Sequence, residues 1–561
     1  VPTTGPVRVV RHVPAEGPEL PERPVFRRVA TSPKANATPA EIVRGYLTAQ
    51  ADAENDHGIA RAYLAPAVGW RPATRVTVYA NQRIGALAVH GDSASVGVVV
   101  DPVGVIDANG SFRPATPAPL PITFSMRRIA GAGWRIVNPR QGVLLTRDEV
   151  SGAFQRTTLY WSAGARRLVA EPVFLPQTDQ PIATIVRTLL QGPSPAIAPA
   201  VRSAIPDGTE LLDPPTLVDG VVSVNISREI RSAPEATLGA FVAQVVWTLT
   251  EASADVHAVR FEAEGVQLAI PGHPQKEQRR SGWTAYAPVP TPSDPRLFFV
   301  RDGAAYATDD AGRESRVGRR TPPLSSVSAN HAGRLLAAVT APSRDGQSLL
   351  LVDATGSAGP RLVLTGDRLS APAWDPSDDL VWVVRTVGAT SSVVVVPVRS
   401  GIAAAVPLRL PAPVTSVRLS ADGARVVVVA GTGSHAALWL ARVERRTSGR
   451  VLGDPRPLVP SVRGVTAAAF DGASQVLFAV LPAGLHRPAI YRVDLDGYNL
   501  VRQRDDGLPA APVSALTVSA PPDSGAPVDR VASVAGRLWR RTPGSDWAAL
   551  PKRGYAASYP G

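Results

Sequence analysis

Histidine, carboxylate and serine groups are the side chains through which this 561-residue sequence could do covalent or metal chemistry, because it contains no Cys. Without Cys there is no disulfide, no thiolate nucleophile and no Cys-ligated metal. The histidines are His12, His57, His90, His257, His273, His331, His435 and His486. None stands at a zinc spacing such as H-E-x-x-H with a second His or a carboxylate. Neither a G-x-S-x-G nucleophile elbow nor a G-x-x-x-x-G-K-[ST] phosphate loop occurs. Gly431-Thr432-Gly433-Ser434-His435 follows an apolar run and imitates the opening of a dinucleotide loop. Ala436 comes next and no helical pattern follows, so the segment reads as a turn between strands. The acid pairs Asp309-Asp310, Asp378-Asp379 and Asp505-Asp506 fall at turn positions and read as turn formers rather than as general acid and base. No catalytic, cofactor-binding or metal-binding residue is assigned, and no cofactor is expected.

Binding chemistry remains. Residues 296–561 hold 31 Arg and Lys against 21 Asp and Glu, whereas the first 295 residues are nearly balanced. Such an excess attracts acidic partners, and the plain alternative is a solvated surface that maintains solubility. No RNP-like motif, zinc-finger spacing or basic helix points to nucleic acid. Arg445, Arg446 and Arg450 cluster on one expected loop and are the candidate partner-binding residues. Trp374 and Trp382 lie in or beside apolar strands and are expected in the core rather than on a ligand platform.

The elements that must position these groups fall into several modules, as the length of the chain demands. Residues 1–36 contain seven Pro and no apolar period and read as a tether. A domain over 37–145 opens at Thr38-Pro39-Ala40-Glu41, a capping box with Pro at the first helical position. A second helix is expected around Ile59–Leu64, then strands at 75–79, 85–89, 94–100, 122–129 and 134–137. This α+β order resembles folds of the nuclear-transport-factor type. Thr146-Arg147-Asp148-Glu149, another capping box, opens a second α+β domain over 146–272. Its long helix is expected to be capped by Ser232-Ala233-Pro234-Glu235 and to bury Leu238, Phe241, Val242, Val245, Val246 and Leu249 on one stripe. Residues 273–295 are Pro-rich and polar and read as a linker.

A repeat fills 296–561. Copies open at Leu324, Leu369, Val414, Val465 and Val513, at spacings of 45, 45, 51 and 48 residues. Each of the first four gives two apolar strands around a turn, the pattern of a four-stranded propeller blade of about 40–50 residues. Strands at Leu297–Val300 and Arg537–Arg540 are left to complete a sixth blade. Arg445, Arg446 and Arg450 fall in the longest copy. The fold class is therefore multidomain: two α+β domains followed by an all-β propeller of six blades. A peptidase built on a propeller would need a separate α/β-hydrolase domain, for which no room remains.

Thr158-Leu159-Tyr160-Trp161, Leu189-Leu190-Gln191-Gly192-Pro193, Ser203-Ala204-Ile205-Pro206-Asp207-Gly208-Thr209 and Val245-Val246-Trp247-Thr248-Leu249-Thr250 resemble a GerMN domain. With an α+β module before it and a propeller after it, the whole chain resembles the LpqB lipoprotein family of actinobacteria. Gly142-Val143-Leu144-Leu145 and Val1-Pro2-Thr3-Thr4 fit that resemblance. It implies a non-catalytic, extracytoplasmic protein, lipid-anchored to the outer face of the cytoplasmic membrane. It further implies association with the extracellular domain of an MtrB-like sensor histidine kinase, in a two-component system that affects cell wall and division. The sequence lacks the lipid-bearing Cys, which is expected just upstream of Val1. The alternative function is binding of a cell-wall polymer or a small ligand.

Overall fold

Thr38 and Glu41 form the capping box their spacing predicts: Thr38 Oγ1 accepts from the Glu41 amide at 3.3 Å and Glu41 Oε2 accepts from the Thr38 amide at 2.8 Å. The computed structural model describes residues 30–560 apart from 165, 310, 319, 447, 448 and 521–527, so most of the expected tether lies outside the described residues. The chain folds as two compact units, one of residues to Thr157 with Val173–Pro181, the other of Thr158–Pro172 with Ile182–Gly561.

In the first unit, helix Pro39–Ala49 buries Ile42, Val43, Tyr46 and Leu47. The sheet beside it runs Gly133–Ile136, Leu120–Ile129, Ser93–Asp107, Arg75–His90, Val143–Thr146. Tyr46 meets Trp70 and Phe124 edge-on, with ring centroids 5.7 and 5.9 Å apart. The two strands expected at 75–79 and 85–89 are one strand, Arg75–His90, whose pairing is interrupted by bulges around Tyr79–Gln82 and Ile84–Leu87. Bulges break the alternation by which a strand is read from sequence. The second helix spans Glu54–Ala62, but Asn55, Asp56 and His57 have positive φ, so its right-handed part begins after His57, close to the expected start at Ile59. The capping box of Thr146 and Glu149 is present, but its helix Arg147–Ala153 lies in the first unit, with Val150 fully buried there. A capping box marks where a helix begins, not which core it joins.

The second unit begins with Thr158–Pro172, which belongs to the hairpin of Phe154–Ser162 and Leu168–Pro176. Helix Glu235–Ala252 connects the parallel strands Val221–Ile226 and Ala258–Ala263. All six residues of its predicted stripe are buried. Gln244 and Thr248 are buried too, and they are used: Gln244 Oε1 accepts from the Ser162 amide at 3.0 Å and Thr248 Oγ1 from the Tyr160 amide at 3.1 Å. Helix side chains thus satisfy strand-edge amides that would otherwise be stranded in the core. The expected Ser232 cap is absent. Ser232 ends a short 3-10 turn and Pro234 stands at the N-cap without a side-chain bond. The expected linker is folded through Tyr286. Strand Glu277–Arg279 pairs with 258–260, and the turn Arg280–Tyr286 buries Trp283 and Tyr286. The Trp247 indole N–H donates to the Trp283 carbonyl at 3.2 Å, and Arg280 lies 4.5 Å over the Trp247 ring.

Six sheets follow. Their innermost strands are Tyr555–Ser558, Leu324–Ala329, the split pair Arg368–Leu369 and Ala373–Trp374, Val414–Leu419, Val465–Asp471 and Val513–Val518. We number the blades one to six in this order. Pro372, which cannot donate to a ladder, lies in the gap of the split strand. Between every two successive blades sits one apolar cluster, and the cluster of Leu297, Phe299, Val531, Leu538, Ala557 and Tyr559 joins blade six to blade one. The ring is closed, as a six-bladed propeller. Both faces of each blade are buried, which explains continuous runs such as Val426–Val429: Val426 and Val428 face blade three, Val427 and Val429 face blade five. Trp374 and Trp382 are core residues of blade three, each less than 2% exposed.

The closing strand differs from the expected one. Leu297–Arg301 pairs with Tyr555–Ser558, while Arg537–Arg541 is the third strand of blade six. Ending the chain at Arg553 removes the innermost strand of blade one and the buried Tyr559. Loss of a buried aromatic alone costs about 3–5 kcal/mol, so the melting midpoint is expected to fall by roughly 6–20 °C. An unchanged midpoint in scanning calorimetry would contradict closure by this strand. A second expectation concerns Glu171, which is 5% exposed and accepts from the Trp161 indole at 2.6 Å and from the Ser194 hydroxyl. Burial pushes its carboxyl above the ordinary range, against those hydrogen bonds and Arg425, which pull it down. A carboxyl raised on folding contributes stability below its unfolded value and loses it as pH climbs through the folded value. Glu171→Gln should therefore gain stability relative to the parent in urea unfolding as pH climbs above the ordinary glutamate value of about 4.3. A difference that does not change with pH would refute the raised carboxyl.

Candidate functional site

Within the second unit, the α+β domain is fastened to the propeller by arginines. Arg167 donates from Nη1 to the Ala421 carbonyl at 2.9 Å and from Nη2 to the Pro376 carbonyl at 3.3 Å. Those carbonyls lie in the turns after the innermost strands of blades four and three. Burial lowers the Arg167 pKa, while Asp422 and Asp375 act to raise it. Arg442 donates to the Ala196 carbonyl at 2.8 Å and is held by Glu444 at 2.6 Å. Guanidinium suits this work because its fork of donors reaches two acceptors at once.

The three arginines singled out in the sequence lie on the hairpin of Ala437–Arg446 and Gly449–Pro457 in blade four, beside the same junction. Arg445 donates to the Ala163 carbonyl at 2.9 Å and so helps hold the α+β domain. Arg446 is exposed and pairs with Glu444 at 2.7 Å. Arg450 stands opposite Arg445 in the register and is partly buried, which lowers its pKa. The structure gathers the three on one hairpin but commits Arg445 inside the chain. Arg167 and Arg442 went unnoticed because a single Arg in a turn or strand carries no local signal of its distant acceptor.

The opposite face of the propeller carries the starts of the innermost strands and the loops between second and third strands. There a cleft of about 400 Å³ opens between blades four and five, lined by residues including Thr415, Gly433, Ser434, Thr466, Gly484 and Leu485. Pockets of roughly 300–1,000 Å³ take small ligands or a few side chains. The turn Gly431-Thr432-Gly433-Ser434-His435 forms one wall, so its Gly-rich sequence serves this cleft and not a dinucleotide loop. Gly464 is required at the base: its φ is +80° and a Cβ would meet the Leu481 carbonyl oxygen at 2.6 Å. Among the described residues no three His, Asp or Glu come together to hold a metal, and no helix is long and apolar enough to cross a membrane.

Removing the central fastening tests the junction. Arg167→Leu should cost about 1.5–3 kcal/mol, the range for hydrogen bonds to charged groups, and should split one calorimetric transition of the second unit into two. A change within about 0.5 kcal/mol, ordinary for a surface substitution, would show that Arg167 does not hold the domains together.

Comparison with known proteins matches each part in turn. Residues 32–151 match the LpqB lipoprotein N-terminal domain, 158–269 the sporulation and spore germination (Germane, or GerMN) domain, and 308–556 the LpqB β-propeller domain. The chain is 27% identical to lipoprotein LpqB of Thermobifida fusca (strain YX), over 89% of this chain and 88% of that protein. It is 26% identical to lipoprotein LpqB of Streptomyces coelicolor, over 100% of this chain and 95% of that one. Among solved structures, TolB from Acinetobacter baumannii aligns at 12% identity and a TM-score of 0.38, over 52% of this chain and 74% of that one. Three domain matches in the order read from the sequence, spanning nearly the whole described chain, place it in the LpqB family of actinobacterial lipoproteins.

Proposed function

We propose that this chain is a non-catalytic, extracytoplasmic lipoprotein that binds the extracellular domain of an MtrB-like sensor histidine kinase and modulates its output to cell wall and division. The observation that carries the reading is the division of labour between propeller faces. One face is taken by the α+β domain through Arg167, Arg442 and Arg445, and the other presents an open cleft on a rigid ring. A scaffold of this kind favours recognition over chemistry, and the sequence offers no nucleophile with a base beside it. Membership of a lipoprotein family supports attachment to the outer face of the cytoplasmic membrane through an N-terminal lipid. An acylated and diacylglycerol-modified Cys would supply the two-chain anchor that stable residence needs.

Biolayer interferometry of the full chain against the purified kinase domain should show saturable binding. Association should slow as salt rises from low ionic strength to about 0.15 M, where the Debye length is about 8 Å. Binding to purified wall polysaccharide but not to the kinase domain would sink the proposal. Native protein that takes up no labelled fatty acid would contradict the anchor.

A further inference from the structure

The innermost strands of blades two, four, five and six each begin with an apolar residue followed by Ser or Thr. In three of them that hydroxyl closes a bulge by donating to the second strand: Ser325 to Val339, Thr415 to Val429 and Ser514 to Ser533, at 3.0–3.2 Å. Thr466 holds the same place in blade five, beside the same bulge, yet its Oγ1 is buried without a partner. Thr466 lines the cleft. An unsatisfied buried hydroxyl costs about 1–3 kcal/mol, a deficit that a ligand would remove once the Thr466 side chain turned into the cleft.

The surroundings say which ligand. The lining residues Thr415, 431–434, Ala436, 464–466 and 481–485 have Arg409, His435, Arg463, His486 and Arg487 close beside them in sequence, all exposed, and segments 407–415, 431–436, 458–466 and 481–488 hold no Asp or Glu. Among the described residues none of the five pairs with a carboxylate. Leu485, 60% exposed, stands among them as an apolar contact. We propose that the cleft between blades four and five binds an extended acidic segment of another protein, with an apolar side chain against Leu485 and the Thr466 hydroxyl bonded to the segment's backbone. A wall polyanion matches the charge but offers nothing to Leu485. The inference rests on the reading of the chain as a protein-binding module, and adds the face and the chemistry of the partner.

The test is fluorescence anisotropy on the full chain with a labelled nonapeptide of Asp and Glu around a central Leu. The parent should bind it, and Arg463→Glu with Arg487→Glu should slow association by about tenfold, within the range for electrostatic steering. Thr466→Val should weaken binding without changing its salt dependence. Arg313→Ser, an exposed change on the opposite face, should leave binding unchanged, and thermal melts check that every variant folds. Absence of peptide binding, or displacement of the peptide by polyphosphate of equal charge, overturns the assignment. Running the same variants against the kinase domain separates the two ideas. Kinase binding that survives the double charge reversal removes the cleft and leaves the proposed function standing, whereas peptide binding without kinase binding does the reverse.

Discussion

A ring of β-sheets can bury both faces of every blade only if its first and last blades bury theirs on each other. That constraint falls on four residues, Tyr555–Ser558, which supply the innermost strand to a blade whose other three strands come from the start of the propeller. They cover the free edge of Leu297–Arg301 and bring Ala557 and Tyr559 into the cluster shared by blades six and one. An uncovered inner edge would expose unpaired amides and carbonyls and invite pairing with another chain. Ring closure also fixes the relative positions of the loops of successive blades, which is what a recognition surface spanning two blades requires.

Rigidity on one face and access on the other follow from where acceptors point. The turns after the innermost strands of blades three and four offer the carbonyls of Pro376 and Ala421 side by side, and the single guanidinium of Arg167 takes both. Such a contact depends on both blades holding their places, so the junction reads out the integrity of the ring as well as the position of the α+β domain. Inside that domain the same economy recurs. Gln244 and Thr248 on one helix, and Glu171 on a strand, are buried polar groups that each satisfy a nearby donor. Low local dielectric makes such pairs strong and makes any unpaired group costly.

The fold was legible where burial imposes a period. The blades show as repeats because each contributes an apolar hairpin, and the long helix shows because its stripe packs on a sheet. Legibility fails where tertiary partners replace periodicity. Arg530–Val534 and Arg537–Arg541 form so clear a hairpin that the sequence offers the second of them as the closing strand. Tyr555-Ala556-Ala557-Ser558, which does close the ring, has little apolar content to announce it. Residues 277–286 read as linker because they are polar and short of period; Trp283 and Tyr286, two large rings in a polar run, were the available sign that the segment folds back. Arg445 was read as a candidate partner-binding residue from charge and position, and its acceptor within the chain at Ala163, far away in sequence, could not be read from either.

Several acids of the propeller are engaged on the face that receives the α+β domain. Asp378 accepts from Asn330 and from the His331 amide and ties blade three to blade two. Asp471 pairs with Arg530 and ties blade five to blade six at 2.9 Å. Asp422 sits in the turn of blade four, almost fully buried and accepting from the Ala424 amide and the Ser420 hydroxyl. All three belong to turns on the face that receives the α+β domain, where they are already compensated or withdrawn from solvent. Around the cleft the arginines have no such partners. A carboxylate satisfied within the chain does little to cancel a distant exposed cation across a Debye length of about 8 Å. Close to the cleft, whose neighbouring segments carry no Asp or Glu, an approaching protein meets the local arginines rather than the overall balance of 31 to 21.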